Sequence, residues 1–407
     1  MTQLPTLSVV IPAFNEEQSI GAIIQRCLDA RERIRQVGQV GVVEIIVVND
    51  GSTDRTGDIA LGWTDREPAV RLVTFSTNRG YGAAIQEGFA HSSGDLLAFL
   101  DADGTCDPNY FGELCHALQT EQAVMALGSR VATGTRMPWV RRIGNAAYAV
   151  LLSALSGRTI RDTASGMRVL KRDVLATLYP LPDGLHFTPA MSARALMDDQ
   201  RVVEVPMPYA ERIGTSKLRV MRDGVRFLFA IRDAALLYQP AKVFLWTAVL
   251  FVVAGLAWGV YPAGFYWRNQ RLEEWMIYRL LLCGLLLTAA FSLLSAGVLA
   301  DQVLSLVYRR RKKAFLFSRL DRLLHRRCLL WAAGLAVAVA IVIVWPGLLQ
   351  YVRTGHVTIH WSRPLASVFL VQLALVAVVH AVLQKIVELW ARQLRHVGAR
   401  PGDDAVL

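Results

Sequence analysis

Residues 96–103 have the sequence Leu-Leu-Ala-Phe-Leu-Asp-Ala-Asp, five apolar residues followed by two carboxylates with one alanine between them. The apolar run has the length of a buried β-strand. Side chains alternate along extended backbone, so Asp101 and Asp103 should point to one side and Ala102 to the other. Paired oxygen ligands at a strand end suit Mg²⁺ or Mn²⁺. Taken alone, the triplet is equally compatible with a structural loop or cap.

Further apolar runs alternate with helix-like stretches on both sides of this segment. The predicted strands are residues 7–14, 42–49, 70–75, 95–100, 123–128 and 201–207. The predicted helices are residues 16–35, 54–61, 83–90 and 110–118. This alternation indicates an α/β fold with a mostly parallel sheet and helices on both faces. In such sheets, ligands bind beyond the carboxyl ends of the strands.

Small and polar residues follow three of the predicted strands. They are Pro12-Ala13-Phe14-Asn15-Glu16, Asn49-Asp50-Gly51-Ser52 and Asp101-Ala102-Asp103-Gly104. We expect these three clusters to meet at one edge of the sheet. The carboxylate of Asp50 suits a hydrogen bond from a nucleotide base, whereas Ser52 or Thr53 suits a helix cap. A purely structural turn explains residues 52–54 equally well.

A glycine-containing segment, Asn78-Arg79-Gly80-Tyr81-Gly82, precedes a predicted helix and allows the backbone to approach a ligand closely. It lacks the GxGxxG pattern of dinucleotide-binding domains, which argues against a nicotinamide or flavin dehydrogenase. The five cysteines form no CxxC pair, and this indicates reduced thiols without a zinc or redox role. The first residues do not resemble an export signal.

From residue 240 onward, the apolar runs lengthen to the size needed to cross a membrane. Residues 243–261, 277–300, 328–349 and 365–383 are predicted to be four transmembrane helices. A basic cluster, Arg309-Arg310-Arg311-Lys312-Lys313, lies between the second and third. The positive-inside rule therefore predicts that the amino-terminal domain, this loop and the carboxyl tail are cytoplasmic. The same cluster explains much of the net charge of +11 without a nucleic-acid partner.

We divide the chain into four parts. Residues 1–216 are a cytoplasmic α/β domain, 217–239 an amphipathic juxtamembrane helix, 240–390 the four-helix transmembrane domain and 391–407 a cytoplasmic tail. Basic and apolar residues interleave in the second part, which is typical of a helix in the lipid headgroup layer. An ordinary surface helix packed on the core is the alternative.

Six motifs occur in order within the first 217 residues. They have the sequences SVVIPAFNEE from Ser8, EIIVVNDGS from Glu44, NRGYG from Asn78, DAD from Asp101, GSR from Gly128 and DTASGMR from Asp162. Together they resemble the family 2 glycosyltransferases, in the branch of dolichyl-phosphate mannose synthases and polyprenyl-phosphate glucosyltransferases. The resemblance implies a GT-A-like fold and one hexose transferred from a nucleotide diphosphate sugar, of the GDP-mannose or UDP-glucose type, to a polyisoprenyl phosphate.

The resemblance also implies roles for individual residues. Nucleotide binding is implied for Pro12, Ala13, Asn15, Glu16, Val48, Asp50, Gly82, Asp101 and Ala102. Metal binding is implied for Asp101 and Asp103, with Thr105 at a position where relatives similar to mannose synthases carry Gln; this difference leaves the metal shell and the sugar open. Binding of the acceptor phosphate is implied for Arg130, Arg141, Arg142 and Asn145. Catalytic roles are implied for Asp103, Arg130, Arg212 and Lys217, the last two on a loop that closes over the donor.

An anionic lipid phosphate needs no general base, so we expect direct in-line attack with inversion at the anomeric carbon. The QxxRW motif of processive synthases is absent, which predicts a single transfer. The expected partners are the nucleotide sugar, the lipid and the membrane, with Mg²⁺ or Mn²⁺ as cofactor; homo-oligomerisation is left open. Two alternatives also stay open: a transferase acting on a polysaccharide, protein or lipid hydroxyl, and a non-catalytic lipid-carrier module.

Overall fold

The computed structural model describes residues 4–130, 139–213, 220–307 and 322–397. The chain forms two compact units, Met1–Tyr238 and Gln239–Leu407. The predicted boundary between residues 216 and 217 lies outside the described residues.

The first unit contains a seven-stranded sheet in the order β3-β2-β1-β4-β6-β5-β7. Its strands are β1 (Thr6–Ala13), β2 (Val42–Asn49), β3 (Val70–Thr74), β4 (Leu96–Leu100), β5 (Met125–Ser129), β6 (Met167–Lys171) and β7 (Val202–Pro206). Strand β6 runs antiparallel to both of its neighbours, whereas the other neighbouring pairs are parallel.

Eight helices accompany this sheet in the described residues. They are α1 (Ile20–Gly38), α2 (Thr56–Thr64), α3 (Tyr81–Ala90), α4 (Phe111–Thr120), α5 (Trp139–Ser156), α6 (Leu175–Leu178), α7 (Phe187–Met197) and α8 (Val220–Tyr238). Apolar residues of α1, α2 and α4 form a core on one face of the sheet, and those of α3, α6 and α7 form a core on the other. The predicted fold class is therefore confirmed: a mostly parallel sheet is covered by helices on both faces.

The central strands show how the sequence produces this arrangement. Val9 and Ile11 of β1 belong to the core beneath α1 and α4, whereas Val10 between them belongs to the core beneath α3 and α7. All three are fully buried. A parallel strand buried on both faces has no polar side, which is why its sequence is a continuous apolar run.

Strand β6 and helices α5 and α7 were not among the elements predicted from the sequence. The β6 sequence is a five-residue run, Met-Arg-Val-Leu-Lys, which contains a fully buried arginine at Arg168. Charged residues are rarely buried without partners, so a local pattern containing one does not indicate a central strand. Pairing of β6 with β4 and β5 supplies the missing information, and it comes from distant parts of the chain.

The second unit contains four long helices among its described residues. They are α9 (Pro240–Asn269), α10 (Ile277–Val307), α11 (Arg326–Thr354) and α12 (Ser362–Val397). Helix α9 packs on α10, α10 on α12, and α12 on α11. The candidate membrane spans are Pro240–Asn269, Glu274–Leu306, Arg326–Thr354 and Ser362–Gln393, with 30, 33, 29 and 32 residues. Each exceeds the roughly 20 residues that cross a bilayer core, so four helices have the length and composition of membrane spans.

Candidate functional site

A cavity of about 520 Å³ lies in the first unit at the carboxyl ends of β1, β2 and β4. Residues from all three polar clusters identified in the sequence line it. These residues are Pro12, Ala13, Phe14, Glu16, Asp50, Asp101, Ala102 and Asp103. The cavity is also lined by residues before α3, after β5, before β6 and on α5 and α8. Its floor is therefore assembled from the strand ends, as expected for a parallel sheet.

Asp101 is held by a tyrosine at the start of α3. The phenol of Tyr81 donates a hydrogen bond to Oδ1 of Asp101 with an oxygen–oxygen distance of 2.6 Å. Burial, together with the negative charge of Asp103, raises the pKa of the Asp101 carboxyl to about 7. The pair of carboxylates thus carries negative charge that the surrounding protein offsets only in part.

Asp103 has partners on both of its oxygens. The backbone N–H and the hydroxyl of Thr105 donate to Oδ1, at 3.1 and 2.7 Å. On the other side, Nη1 of Arg212 lies 3.2 Å from Oδ2. Thr105 is buried and does not line the cavity, so in this structure its hydroxyl supports Asp103. Direct binding of a metal by Thr105 stays a prediction.

Arg212 bridges two carboxylates across the cavity. Its Nη2 donates to Oε1 of Glu16 at 3.0 Å, and its Nη1 pairs with Asp103. The Nε of the same guanidinium is buried and has no hydrogen-bond partner among the described residues. A buried donor without a partner is costly, which favours a rearrangement of Arg212 that gives this N–H an acceptor.

Arg130 forms a two-point ion pair with Asp162 at another part of the lining. Nε and Nη2 donate to Oδ2 and Oδ1 at 2.7 and 2.8 Å, and the Arg130 backbone N–H also donates to Oδ2 at 3.0 Å. The Asp162 side chain is fully buried. Burial opposes both charges, but their mutual attraction prevails: it raises the pKa of Arg130 and lowers that of Asp162. The guanidinium is thus fixed in place and largely neutralised.

The remaining residues predicted to bind the acceptor phosphate are distributed differently. Asn145 on α5 lines the cavity, but its Oδ1 accepts from the N–H and hydroxyl of Thr163, and its Nδ2 donates to the carbonyl of Arg161. Arg142 is exposed and does not line the cavity. The side chain of Arg141 and all of Lys217 lie outside what the structure describes.

Three of the predicted nucleotide-binding residues do not line the cavity. They are Asn15, Val48 and Gly82. Asn15 connects the loop after β1 to the loop after β2, because its Oδ1 accepts from the Thr53 N–H at 2.8 Å and its own N–H donates to Ser52 Oγ at 3.0 Å. Val48 belongs to the core, and a Cβ at Gly82 would lie 2.1 Å from a backbone oxygen. Their positions favour a structural role beside the site.

Asp50 lines the cavity but already accepts hydrogen bonds from the loop before α3. The backbone N–H groups of Arg79 and Gly80 donate to its carboxylate at 2.6 and 2.9 Å, and Nδ2 of Asn78 donates at 3.0 Å. Burial raises the pKa of Asp50, and these donors counteract the shift. The glycine-containing segment is therefore positioned by Asp50, while recognition of a base by Asp50 stays a prediction.

The segment before β6 and the start of that strand contain two residues whose structural role the sequence did not predict. A Cβ on Gly166 would lie 2.0 Å from Oδ2 of Asp101, so only glycine permits this approach. The buried Arg168 side chain donates to the carbonyls of Thr163 and Ser165 at 2.9 and 3.0 Å and to Ser192 Oγ at 2.8 Å. The DTASGMR motif contained both residues, but only the folded chain shows that they shape the wall beside Asp101.

The donor set of the cavity fits a hard divalent cation. Within the described residues, no group of three or more His, Cys, Asp or Glu side chains is arranged to hold a metal. Asp101 and Asp103 nevertheless face one cavity with incompletely offset charge. Mg²⁺ is commonly bound by one or two carboxylates and completes its shell with water and substrate phosphate oxygens. The residues present are thus suited to a cation that arrives with a phosphorylated ligand.

Comparison with known proteins assigns the chain to a family. The sequence profile described as Glycosyl transferase family 2 matches residues 8–179. A dolichyl-phosphate hexose transferase from Haloferax volcanii is 32% identical over 222 residues, which cover 54% of this chain and 89% of that protein. The chain belongs to glycosyl transferase family 2. The resemblance found in the sequence motifs is confirmed.

Two other relatives are matched over a smaller share of their own length. The low-salt glycan biosynthesis hexosyltransferase Agl6 of Haloferax volcanii is 33% identical over 64% of this chain and 61% of that protein. An undecaprenyl-phosphate 4-deoxy-4-formamido-L-arabinose transferase from Edwardsiella ictaluri is 29% identical over 53% of this chain and 64% of its own length. The chain thus spans less than two thirds of each. Glucosyl-3-phosphoglycerate synthase from Mycobacterium tuberculosis aligns with a TM-score of 0.46 at 23% identity, covering 57% of this chain and 80% of that structure.

Proposed function

We propose that the chain is a membrane-anchored glycosyltransferase that moves one sugar from a nucleotide diphosphate sugar to a polyisoprenyl phosphate. The observation that carries the proposal is the cavity in which Asp101 and Asp103 lie beside Arg212. Relatives named for transfer to dolichyl phosphate or undecaprenyl phosphate support the acceptor class. Four helices suited to a bilayer support a lipid acceptor.

On the donor side, Asp101 and Asp103 would hold Mg²⁺ or Mn²⁺, which offsets the charge that develops on the leaving diphosphate. Arg212 pairs with Asp103 and Glu16 in this structure. When Asp103 and Glu16 bind the donor and its cation, the Arg212 guanidinium is released from them. It then binds diphosphate oxygens, because its planar arrangement of N–H donors suits phosphate. The positive charge then lies where negative charge accumulates during transfer.

On the acceptor side, a lipid phosphate is anionic and needs no proton removed before it attacks. The protein must instead hold two anions close together and in line, which favours positioning over acid–base chemistry. A single displacement of this kind inverts the anomeric centre. The basic cluster after α10 supports a cytoplasmic first unit, where GDP-mannose or UDP-glucose would be the donor.

The proposal is tested by the product. Membranes containing the full chain are incubated with each radiolabelled nucleotide sugar, and the lipid fraction is extracted. We expect one donor to label a lipid whose sugar is released by mild acid, as for a sugar phosphate ester. Label in a polysaccharide, a protein or an acid-stable glycolipid would contradict the proposal and favour a hydroxyl acceptor, and no label with any donor would favour a non-catalytic module.

The same assay tests the carboxylate pair. Asp103→Ala removes a cavity carboxylate that also holds Arg212, and we expect transfer to fall by about a hundredfold to a thousandfold, the scale for loss of a key electrostatic group. Asp58→Ala, at an exposed position on α2, is the matched control and should retain full activity. Near-normal turnover by Asp103→Ala would contradict the role of this carboxylate.

A further inference from the structure

Three guanidinium groups line the cavity within the described part of the first unit, and two of them are closely held. Arg130 is paired at two points with Asp162, and Arg212 with the carboxylates described above. The third, Arg226 on α8, lies 3.6 Å from Asp223, which is longer than a hydrogen bond. Its side chain is 44% exposed. Arg226 is thus the lining guanidinium with the weakest carboxylate contact.

Arg226 belongs to a part of the lining that we call the helix wall. The helix wall consists of Gly144, Asn145 and Tyr148 on α5 with Gly224, Arg226 and Phe227 on α8. The Tyr148 phenol donates to the Gly224 carbonyl at 2.7 Å, and its ring meets that of Phe227 edge-on with centroids 5.9 Å apart. A Cβ on Gly224 would lie 2.9 Å from the Tyr148 hydroxyl, so glycine permits this contact.

The same two helices expose apolar side chains away from the core. Ile143 and Val150 on α5 are 61% and 71% exposed, and Val225 and Phe229 on α8 are 49% and 48% exposed. Exposed apolar side chains on two helices in contact offer apolar area to a lipid chain. A lipid chain extending from the helix wall would therefore find apolar contacts along these helices.

We propose that Arg226 binds the phosphate of the acceptor lipid and that Tyr148 and Phe227 contact the adjoining part of its apolar chain. This assignment rests on the function proposed above and names the acceptor subsite. A guanidinium provides parallel N–H donors for phosphate, and the aromatic pair provides apolar area. A polar hydroxyl acceptor would match neither feature. The sequence also predicts binding of the acceptor phosphate by Arg130, but the positive charge of Arg130 is offset by its ion pair with Asp162.

The test compares Arg226→Met, Arg226→Lys and wild type, each as the full chain in detergent, with farnesyl phosphate as acceptor. We expect Arg226→Met to raise the KM for farnesyl phosphate by about tenfold or more, the scale for a lost charged hydrogen bond. The KM for the nucleotide sugar should not change, and Arg226→Lys should restore part of the acceptor affinity. Arg222→Met is the matched control, because Arg222 is exposed on the same helix but does not line the cavity.

An unchanged KM for farnesyl phosphate in Arg226→Met, or an equal rise for both substrates, overturns the assignment. Failure of the proposed function is recognised separately, because wild type itself would then not glycosylate farnesyl phosphate. In that event, the assignment of Arg226 is tested by comparing the equilibrium binding of farnesyl phosphate with that of farnesol, which lacks the phosphate. Phosphate-dependent binding that is lost in Arg226→Met supports the assignment, and the absence of such binding, or its retention in Arg226→Met, overturns it.

Discussion

The phenolic oxygen of Tyr81 lies 2.6 Å from Oδ1 of Asp101 and donates a hydrogen bond to it. Tyr81 is the first residue of α3 and Asp101 follows β4, so this bond ties a helix start to the strand end that carries the paired carboxylates. Burial and the adjacent negative charge of Asp101 raise the pKa of Tyr81 well above its ordinary value. The phenol therefore remains a donor across the physiological pH range.

Tyr81→Phe removes this donor with little change in volume. We expect the apparent affinity for Mn²⁺ to fall by about tenfold, because groups that orient a metal-binding carboxylate commonly have effects of that size. The measurement is the transfer rate as a function of Mn²⁺ concentration. Tyr110→Phe, outside the cavity lining, is the control and should leave the Mn²⁺ dependence unchanged. An unaltered Mn²⁺ dependence in Tyr81→Phe would count against the role of its hydroxyl.

Gly166→Ala tests the close approach of the segment before β6 to Asp101. The added Cβ would lie 2.0 Å from Oδ2 of Asp101, so the carboxylate or the backbone must shift. We expect a loss of transfer of about a hundredfold, the scale for a misplacement of about 1 Å at a reacting centre. Gly62→Ala is the matched control, since a Cβ there meets no atom within 4 Å. Activity equal to that of the control would show that Asp101 tolerates displacement.

Asp162→Asn leaves the Arg130 guanidinium buried beside a neutral partner. Breaking a buried ion pair in this way costs about 3 kcal/mol or more, and we expect that loss in the unfolding free energy of the full chain in detergent at pH 7. Asp199→Asn is the control, because Asp199 pairs with Arg158 at the surface with its side chain 87% exposed. Equal stability of the two variants would contradict a structural role for the buried pair.

The sign of the pH dependence follows from the same pair. Arg130 holds the pKa of Asp162 below its ordinary value despite burial. The pair therefore stabilises the folded chain above about pH 4, the ordinary pKa of an aspartate, and this contribution is lost as the pH falls through the lower pKa of the folded state. On acidification below about pH 4, we expect the thermal unfolding temperature of Asp162→Asn to fall less steeply than that of wild type.

Arg212→Gln separates transfer from metal binding. We expect kcat to fall by about tenfold to a hundredfold, because a guanidinium that can offset the diphosphate charge is lost. Mn²⁺ affinity should not decrease, since Arg212 competes with the cation for Asp103. The control is Arg201→Gln, which removes an exposed ion pair with Glu121. A parallel loss of Mn²⁺ affinity would indicate that Arg212 supports the carboxylates instead of competing for them.

The sequence predicts much of this sheet because its central strands are buried on both faces. Strand β2 was predicted with the bounds that the structure gives, Val42–Asn49, and β1 and β4 differ by one residue at one or both ends. The strand-end rule also predicted that Asp101 and Asp103 would lie together at the edge of the sheet. The strands are recognised from continuous apolar runs, and the position of the two carboxylates follows from the alternation of side chains along a strand and from the location of ligand sites in parallel sheets.

The rest depends on contacts between distant segments. Asp162 meets Arg130 across 32 positions, and Tyr81 meets Asp101 across 20. No local periodicity encodes either pair. The inclusion of Arg226 in the lining likewise results from the packing of α8 on α7 and α5, whereas its sequence context indicates only an amphipathic helix. Long-range packing therefore decides which charged residues face the cavity.

The reversed direction of β6 separates two parts of the cavity lining. Because β6 is antiparallel to β4 and β5, its first residues and the last residues of those strands share one edge of the sheet. The connection that leads to β6 contains α5 and can change in length or sequence while the strand-borne carboxylates keep their register. In the function proposed above, a changed connection would alter the contacts made with the acceptor and would leave Asp101 and Asp103 in place.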